Sequence, residues 1–256
     1  MAVTRASRTE LWQSIRHEAE LAAARDPAFG QTLSAAILDH PDLGSIVAHQ
    51  IGVRIGNSAA ARDRFAAIAR EAQTAAPALV AAAYSDLAAI TAHDPATTAL
   101  LPPLLNYKGY VALQAYRVAH WLWSNRQPDL ALLLQAESST SLQVSIHPSA
   151  QIGSSVFLDH ATGIVIGAFS SIGDDVTILQ NVTIGRQDAM PGRSPRIGRG
   201  VLLSSGATVL GDVAIGHFAK IGAGAVVTTD VPAGCTAVGT PGRLTNCPEQ
   251  PAPAAA

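Results

Sequence analysis

The chain has 256 residues, with 17 Lys and Arg against 19 Asp and Glu for a formal net charge of −2, and it is 48% hydrophobic and 14% charged. That length can bury one large or two ordinary cores without disulfide or metal staples. A near-neutral balance, with a pI of about 6.4, lacks the basic stripe that phosphate backbones require, so nucleic acid is not expected as a partner.

The first 20 residues mix Arg, Glu and His among the apolar positions, unlike a secretory signal. The longest apolar segment, around residues 75–90, is mostly Ala and is broken by Tyr84, Ser85 and Asp86, too short and too polar to span a bilayer. A cytoplasmic protein with no membrane partner is expected. Cys235 and Cys247 lie 12 apart, with no CxxC pair and no nearby His. They are expected as free thiols, and no metal site is expected.

Glycine divides the chain, with five of its 21 in residues 1–140 and sixteen in 141–256. The first part is rich in Ala, Leu, Glu and Arg, with apolar residues recurring at three and four, as in Leu11, Ile15, Ala19 and Ala22. That period predicts amphipathic helices. Breaks fall at Asp26-Pro27, His40-Pro41-Asp42, Asp94-Pro95 and Pro102-Pro103, and a strong helix is predicted from about Tyr107 to Ser124. Roughly six to eight helices fit this length.

From Ile146 the period changes to six. Aliphatic residues stand at Ile146, Ile152 and Leu158, then at Ile166, Ile172, Ile178 and Ile184, then at Ile197, Leu203, Val209, Ile215, Ile221 and Val227. Four residues after most of them comes a small or β-branched residue, such as Ala150, Val176, Ala207 or Ala225. This pattern suits a three-sided coil whose aliphatic side chains point inward and whose small residues fill the corners. The step is eight between Leu158 and Ile166 and thirteen between Ile184 and Ile197. A two-residue bulge and a longer excursion therefore leave the coil there, where solenoids tend to gather function.

Within this pattern, the run Leu158-Asp159-His160-Ala161-Thr162-Gly163-Ile164-Val165-Ile166-Gly167 resembles the signature of the serine O-acetyltransferases, hexapeptide-repeat enzymes. Tyr107-Lys108-Gly109-Tyr110, Leu113-Gln114-Ala115-Tyr116-Arg117 and His120-Trp121-Leu122-Trp123 resemble the helix before the coil in those enzymes. Asp94-Pro95-Ala96 resembles their acceptor loop, and Lys220-Ile221-Gly222-Ala223-Gly224 their late coil. The fold implied is α+β: an all-α domain over 1–140 that serves oligomerisation and the acceptor loop, a left-handed parallel β-helix over 141–240, and a disordered Pro/Ala tail over 241–256. The activity implied is transfer of acetyl from acetyl-CoA to the hydroxyl of L-serine or a close amino-acid analogue. The assembly implied is a homotrimer or a dimer of trimers, with CoA between neighbouring β-helices.

His160 is the expected general base, since an imidazole titrating near 6.5 can take a hydroxyl proton and return it to a thiolate. By resemblance, Asp159 and Asp94 hold the acceptor's ammonium, and Arg193 its carboxylate through a planar fork. Asp94 reads equally as a cap before Pro95, and Arg193 as a solvated loop charge. Gly185, Ser205, Gly206, Ala223 and Gly224 match CoA-contacting positions, although any coil would use small residues there. Lys220 either approaches a CoA phosphate or sits in solvent.

Three positions depart from the family. Ser145 stands where an Asp would orient the imidazole. Ser194 replaces a second His in the acceptor pocket. Arg186 replaces the second Gly of a pair and adds a cation beside the CoA tunnel. These changes leave open a larger or differently charged acceptor, hydroxyl or amine, in a specialised pathway. A non-catalytic interaction protein is a further alternative. The chain ends Pro251-Ala252-Pro253-Ala254-Ala255-Ala256 without the terminal isoleucine that docks into cysteine synthase, so that partnership is not expected.

Overall fold

A computed structural model describes residues 7–187 and 193–248. Its helices are α1 (Arg8–Arg25), α2 (Pro27–Leu33), α3 (Leu43–Ile55), α4 (Ala59–Ala75), α5 (Ala78–His93), α6 (Leu101–Asn106), α7 (Lys108–Ser124) and α8 (Pro128–Leu142), with a π-helical turn at Ser34–Leu38. Their starts follow local chemistry. Ser7 and Glu10 form a capping box on α1, while Asp26, Asp42 and Ser58 cap α2, α3 and α4 through side-chain oxygens. The spacing read in α1 is real, since Ile15, Ala19 and Ala22 are buried and Leu11 packs against the same core.

The helix starting at Pro95 that the capping alternative for Asp94 implies does not form. Residues 95 and 96 make a turn, and Asp94 is the C-cap of α5. Its Oδ1 accepts the Ala96 N–H at 2.8 Å, so the local hydrogen bond closes a turn instead of opening a helix.

The second half is a coil of three parallel sheets. One face stacks β1 (Val144–Ile146), β4 (Ile164–Ile166), β7 (Thr183–Gly185), β10 (Thr208–Leu210) and β13 (Val226–Val227). A second stacks β2 (Gln151–Ile152), β5 (Ser171–Ile172), β8 (Arg196–Ile197) and β11 (Ala214–Ile215). The third stacks β3 (Phe157–Leu158), β6 (Thr177–Ile178), β9 (Leu202–Leu203), β12 (Lys220–Ile221), β14 (Thr236–Val238) and β15 (Arg243–Thr245). The six-residue aliphatic positions are buried in this prism apart from Ile152, which is half-buried, and the small residues four positions later are buried as well.

β15 is the exception, running antiparallel on β14 with Thr236 opposite Thr245. That hairpin carries two corrections. Residues 243–245, expected within a disordered tail, form a strand, because the chain turns back onto the last coil. Cys235 and Cys247 are not free thiols but a disulfide, with Cα atoms 4.0 Å apart. The returning strand brings them together, and a six-residue repeat gives no warning of it.

Helices and coil are bolted together by a buried ion pair. Asp86 of α5, fully buried, accepts from Arg117 Nε at 2.8 Å and Nη2 at 2.9 Å, from Gln114 Nε2 at 2.9 Å, and from the Val156 N–H at 3.1 Å. Arg117 of α7 in turn donates to the Gly153 carbonyl at 2.7 Å. Every oxygen of the buried carboxylate is thus satisfied, the condition for a buried charge to be tolerated. Among the described residues no single helix is long and apolar enough to cross a membrane; α4 and α5 pass that test only as a pair bent by 105°.

Candidate active site

The bulge read from the eight-residue step is a turn after β3. Leu158 pairs with Ile178 of the next coil, and the ladder resumes when the Asn181 N–H donates to the Thr162 carbonyl at 2.8 Å. In the following step the Gly206 N–H donates to the Gln180 carbonyl at 2.9 Å, so the first turn spends two residues more. His160 and Ala161 take the left-handed conformation, with φ of 54° and 60°. The backbone there projects outward from a rigid strand, and the His160 side chain is 74% exposed.

Helix ends surround this turn. The C-terminus of α5 supplies Asp94, the junction of α6 and α7 supplies Asn106, Tyr107 and Lys108, and together with Asp159 and His160 they line a cavity of about 490 Å³. His160 Nε2 stands 3.7 Å from Asp159 Oδ1. Burial raises the Asp159 carboxyl above its usual value, His160 pulls it back, and the Asp94 charge raises it further. Two carboxylates therefore share one cavity, and the Asp94 charge is felt at Asp159. A pair of like charges lining one cavity favours a cation between them. Lys108, the lysine of the lining, is turned to Gln143 Oε1 at 3.4 Å.

The expected CoA positions fall on one corner of the prism. The Gly224 N–H donates to the Ser205 carbonyl at 2.9 Å, continuing the bonds from Gly206 to Gln180 and from Asn181 to Thr162. The His160–Gly163 turn, Gln180-Asn181, Ser205-Gly206 and Ala223-Gly224 therefore form a single column along the coil axis. At about 4.8 Å per coil it is about 14 Å long. Gly206 and Gly224 have φ of 70° and 66°, so the corner needs residues that tolerate a left-handed backbone, and the column stays low. Lys220 is exposed on β12, just before this column. Gly185 lies at the other end of its face, at the end of β7 where the long excursion leaves, and Arg186 beside it is exposed.

Three expected site residues lie elsewhere in the single chain. The Ser145 hydroxyl accepts from Gln135 Nε2 at 2.9 Å, and Ser145 does not line the His160 cavity. Ser194 is buried and donates to the Ala168 carbonyl at 2.8 Å. Arg193 is exposed, and its charge reaches Asp212, whose carboxyl is held down first by Arg196. Two residues of the region had no role in the sequence reading. Tyr107 stood there only as the start of a helix. Gln180, one coil below the His160 turn, has a buried side-chain oxygen with no hydrogen-bond partner among the described residues; register alone singles it out.

A family profile for the serine acetyltransferase N-terminal domain matches residues 11–115, and one for bacterial transferase hexapeptide repeats matches residues 194–229. A serine acetyltransferase from Salmonella typhimurium is 41% identical over 239 residues, covering 93% of this chain and 88% of that protein. The chain belongs to the serine acetyltransferase family. Serine acetyltransferases are acetyl-CoA-dependent acyltransferases of cysteine biosynthesis, and this chain shares the whole architecture. It aligns with a serine acetyltransferase in complex with CoA at a TM-score of 0.90 and 38% identity, covering 93% of this chain and all of that one. A soybean serine acetyltransferase complexed with serine matches at a TM-score of 0.90 and 40% identity, over 94% of this chain and 100% of that one. Among the described residues no group of His, Cys, Asp and Glu is arranged to hold a metal ion.

Proposed function

We propose that this serine acetyltransferase acetylates the hydroxyl of L-serine with His160 as the general base. The acceptor's ammonium sits between Asp94 and Asp159. The His160 imidazole takes the hydroxyl proton, the alkoxide attacks the thioester carbonyl, and the carbon–sulfur bond breaks. The departing thiolate recovers the proton from the imidazolium, giving O-acetylserine and CoA with no covalent enzyme intermediate. Backbone N–H groups are the proposed stabilisers of the oxyanion. The cavity that joins Asp94, Asp159 and His160 carries this reading.

The donor lies along the column from Gln180 to Gly224, where small residues keep the corner low enough for its pantetheine chain to approach. Gly185 and Arg186 flank the far side, and Lys220 meets a CoA phosphate. Arg193 and Ser194 belong to the acceptor pocket only if a neighbouring copy presents them, since in one chain they lie apart from the His160 cavity. That requirement supports a trimer, with pairing of trimers through the helical domain of residues 1–140. Ser145 stands in the place of the usual aspartate and, lying apart from the His160 cavity in one chain, likewise orients the imidazole only if a neighbouring copy presents it. The cytoplasm is the proposed place of work; residues 251–256, on which the expectation about cysteine synthase rests, lie outside the described residues.

The test is thiol release from acetyl-CoA with serine and with larger, differently charged and aminated analogues. Serine is expected to give the highest kcat/KM. An analogue better by tenfold would move the acceptor assignment.

A further inference from the structure

The scheme above gives Tyr107 no part, yet Tyr107 touches the residue that holds the acceptor. Its hydroxyl donates to Asp94 Oδ2 at 2.8 Å, while Asp94 Oδ1 accepts the Ala96 N–H at 2.8 Å. Each carboxylate oxygen thus has one donor, which sets the plane of the group and leaves a further lone pair on each oxygen for a ligand. Such a restraint is needed. Asp159 shares the cavity and repels Asp94, and a carboxylate on a loop would otherwise turn away from it.

Tyr107 is itself anchored. It is the N-cap residue of α7, and Gly109, two residues on, lies against the Leu158 carbonyl of β3. The hydroxyl therefore references Asp94 to the strand that carries Asp159 and His160. Burial and the Asp94 hydrogen bond hold the phenol above its ordinary value, so it remains a donor at neutral pH.

We propose that Tyr107 is a positioning residue for the acceptor: its hydroxyl holds the Asp94 carboxylate across the cavity from Asp159, so that a primary ammonium is gripped between the two. This rests on the role given to Asp94 above. Because the restraint acts on the acceptor and not on the thioester, its loss shows in the KM for serine.

The experiment is a double-mutant cycle in the full chain, with Tyr107→Phe, Asp94→Asn and both together, read by steady-state kinetics against serine and acetyl-CoA. Tyr107→Phe is expected to raise the KM for serine about tenfold, as for loss of a hydrogen bond to a charged group, with kcat and the KM for acetyl-CoA unchanged. Asp94→Asn raises the KM for serine further, and the double variant is no worse than Asp94→Asn alone. An unchanged KM for serine in Tyr107→Phe, a fall in kcat instead, or additive effects in the double variant would overturn the proposal while leaving Asp94 in its role. If Asp94→Asn itself binds serine normally, the role of Asp94 fails first and separately.

Discussion

Gly109 lies so close to Leu158 that a Cβ on the glycine would stand 2.1 Å from the Leu158 carbonyl oxygen. The first turn of α7 thus rests directly on the strand that ends in Asp159 and His160. Helix and coil meet there without a side chain between them, which is how two halves with different periodicities make one cavity.

Gly109→Ala forces this contact apart. Overpacking of that kind destabilises by about 1–3 kcal/mol, and Tyr107 and Lys108 shift relative to His160. Chemical denaturation is expected to show that loss, and kcat/KM for serine to fall more than tenfold in the fraction that remains folded. Wild-type kinetics in Gly109→Ala would show that the contact does not position the site.

Arg117→Met removes the partner of a buried carboxylate. Asp86 is left in the core with Gln114 and the Val156 N–H as its donors. Breaking a buried pair from one side costs about 3–5 kcal/mol. Urea unfolding of Arg117→Met is expected to show a loss of that size, and replacing both Asp86 and Arg117 by apolar residues to recover much of it. A loss under about 1 kcal/mol in the single variant would contradict the clamp.

The raised carboxyl of Asp159 makes a pH-dependent statement. A carboxylate whose folded value lies above its unfolded value of about 3.8 favours folding below that value and loses this contribution as pH rises through the folded value. Asp159→Asn removes the penalty of the charged form. The variant should therefore gain melting temperature relative to the parent as pH rises from 3 to 7, while losing affinity for serine. Thermal melts across that range check the sign; a relative gain that shrinks with rising pH would contradict it.

Ser145→Asp restores a negative charge at the place from which the imidazole is proposed to be oriented. Gln135 Nε2, the present donor to Ser145, can donate equally to a carboxylate. A rise of several-fold in kcat is expected, measured under saturating serine and acetyl-CoA. An unchanged kcat would detach residue 145 from the imidazole.

The coil was legible because its rule is strict: one aliphatic side chain per flat side, every six residues, with Ile178, Leu203 and Ile221 stacked as the period requires. The bulge at His160 was legible for the same reason, as a break in a regular count. What the repeat could not show was anything made by chain return or by contact between the halves. Cys235 and Cys247 meet because β15 turns back, and Tyr107 meets Asp94 because α6 folds the segment between them. Asp94 was legible as a residue of interest, but its turn to Ala96 was not, because Asp before Pro serves helix starts and Asx turns alike. Ser145 was read as the partner of the imidazole and Ser194 as part of the acceptor pocket; in one chain their hydroxyls are engaged by Gln135 and the Ala168 carbonyl, partners distant in sequence that no motif names.

The central claim is that one imidazole, lifted from a rigid coil, carries the proton. His160→Asn is the direct test, because asparagine tolerates the φ of 54° at this position and keeps the turn intact. With serine and acetyl-CoA saturating and the circular dichroism unchanged, thiol release is expected to fall by about 10²–10⁴. A rate within a few-fold of the parent would show that His160 is not the base.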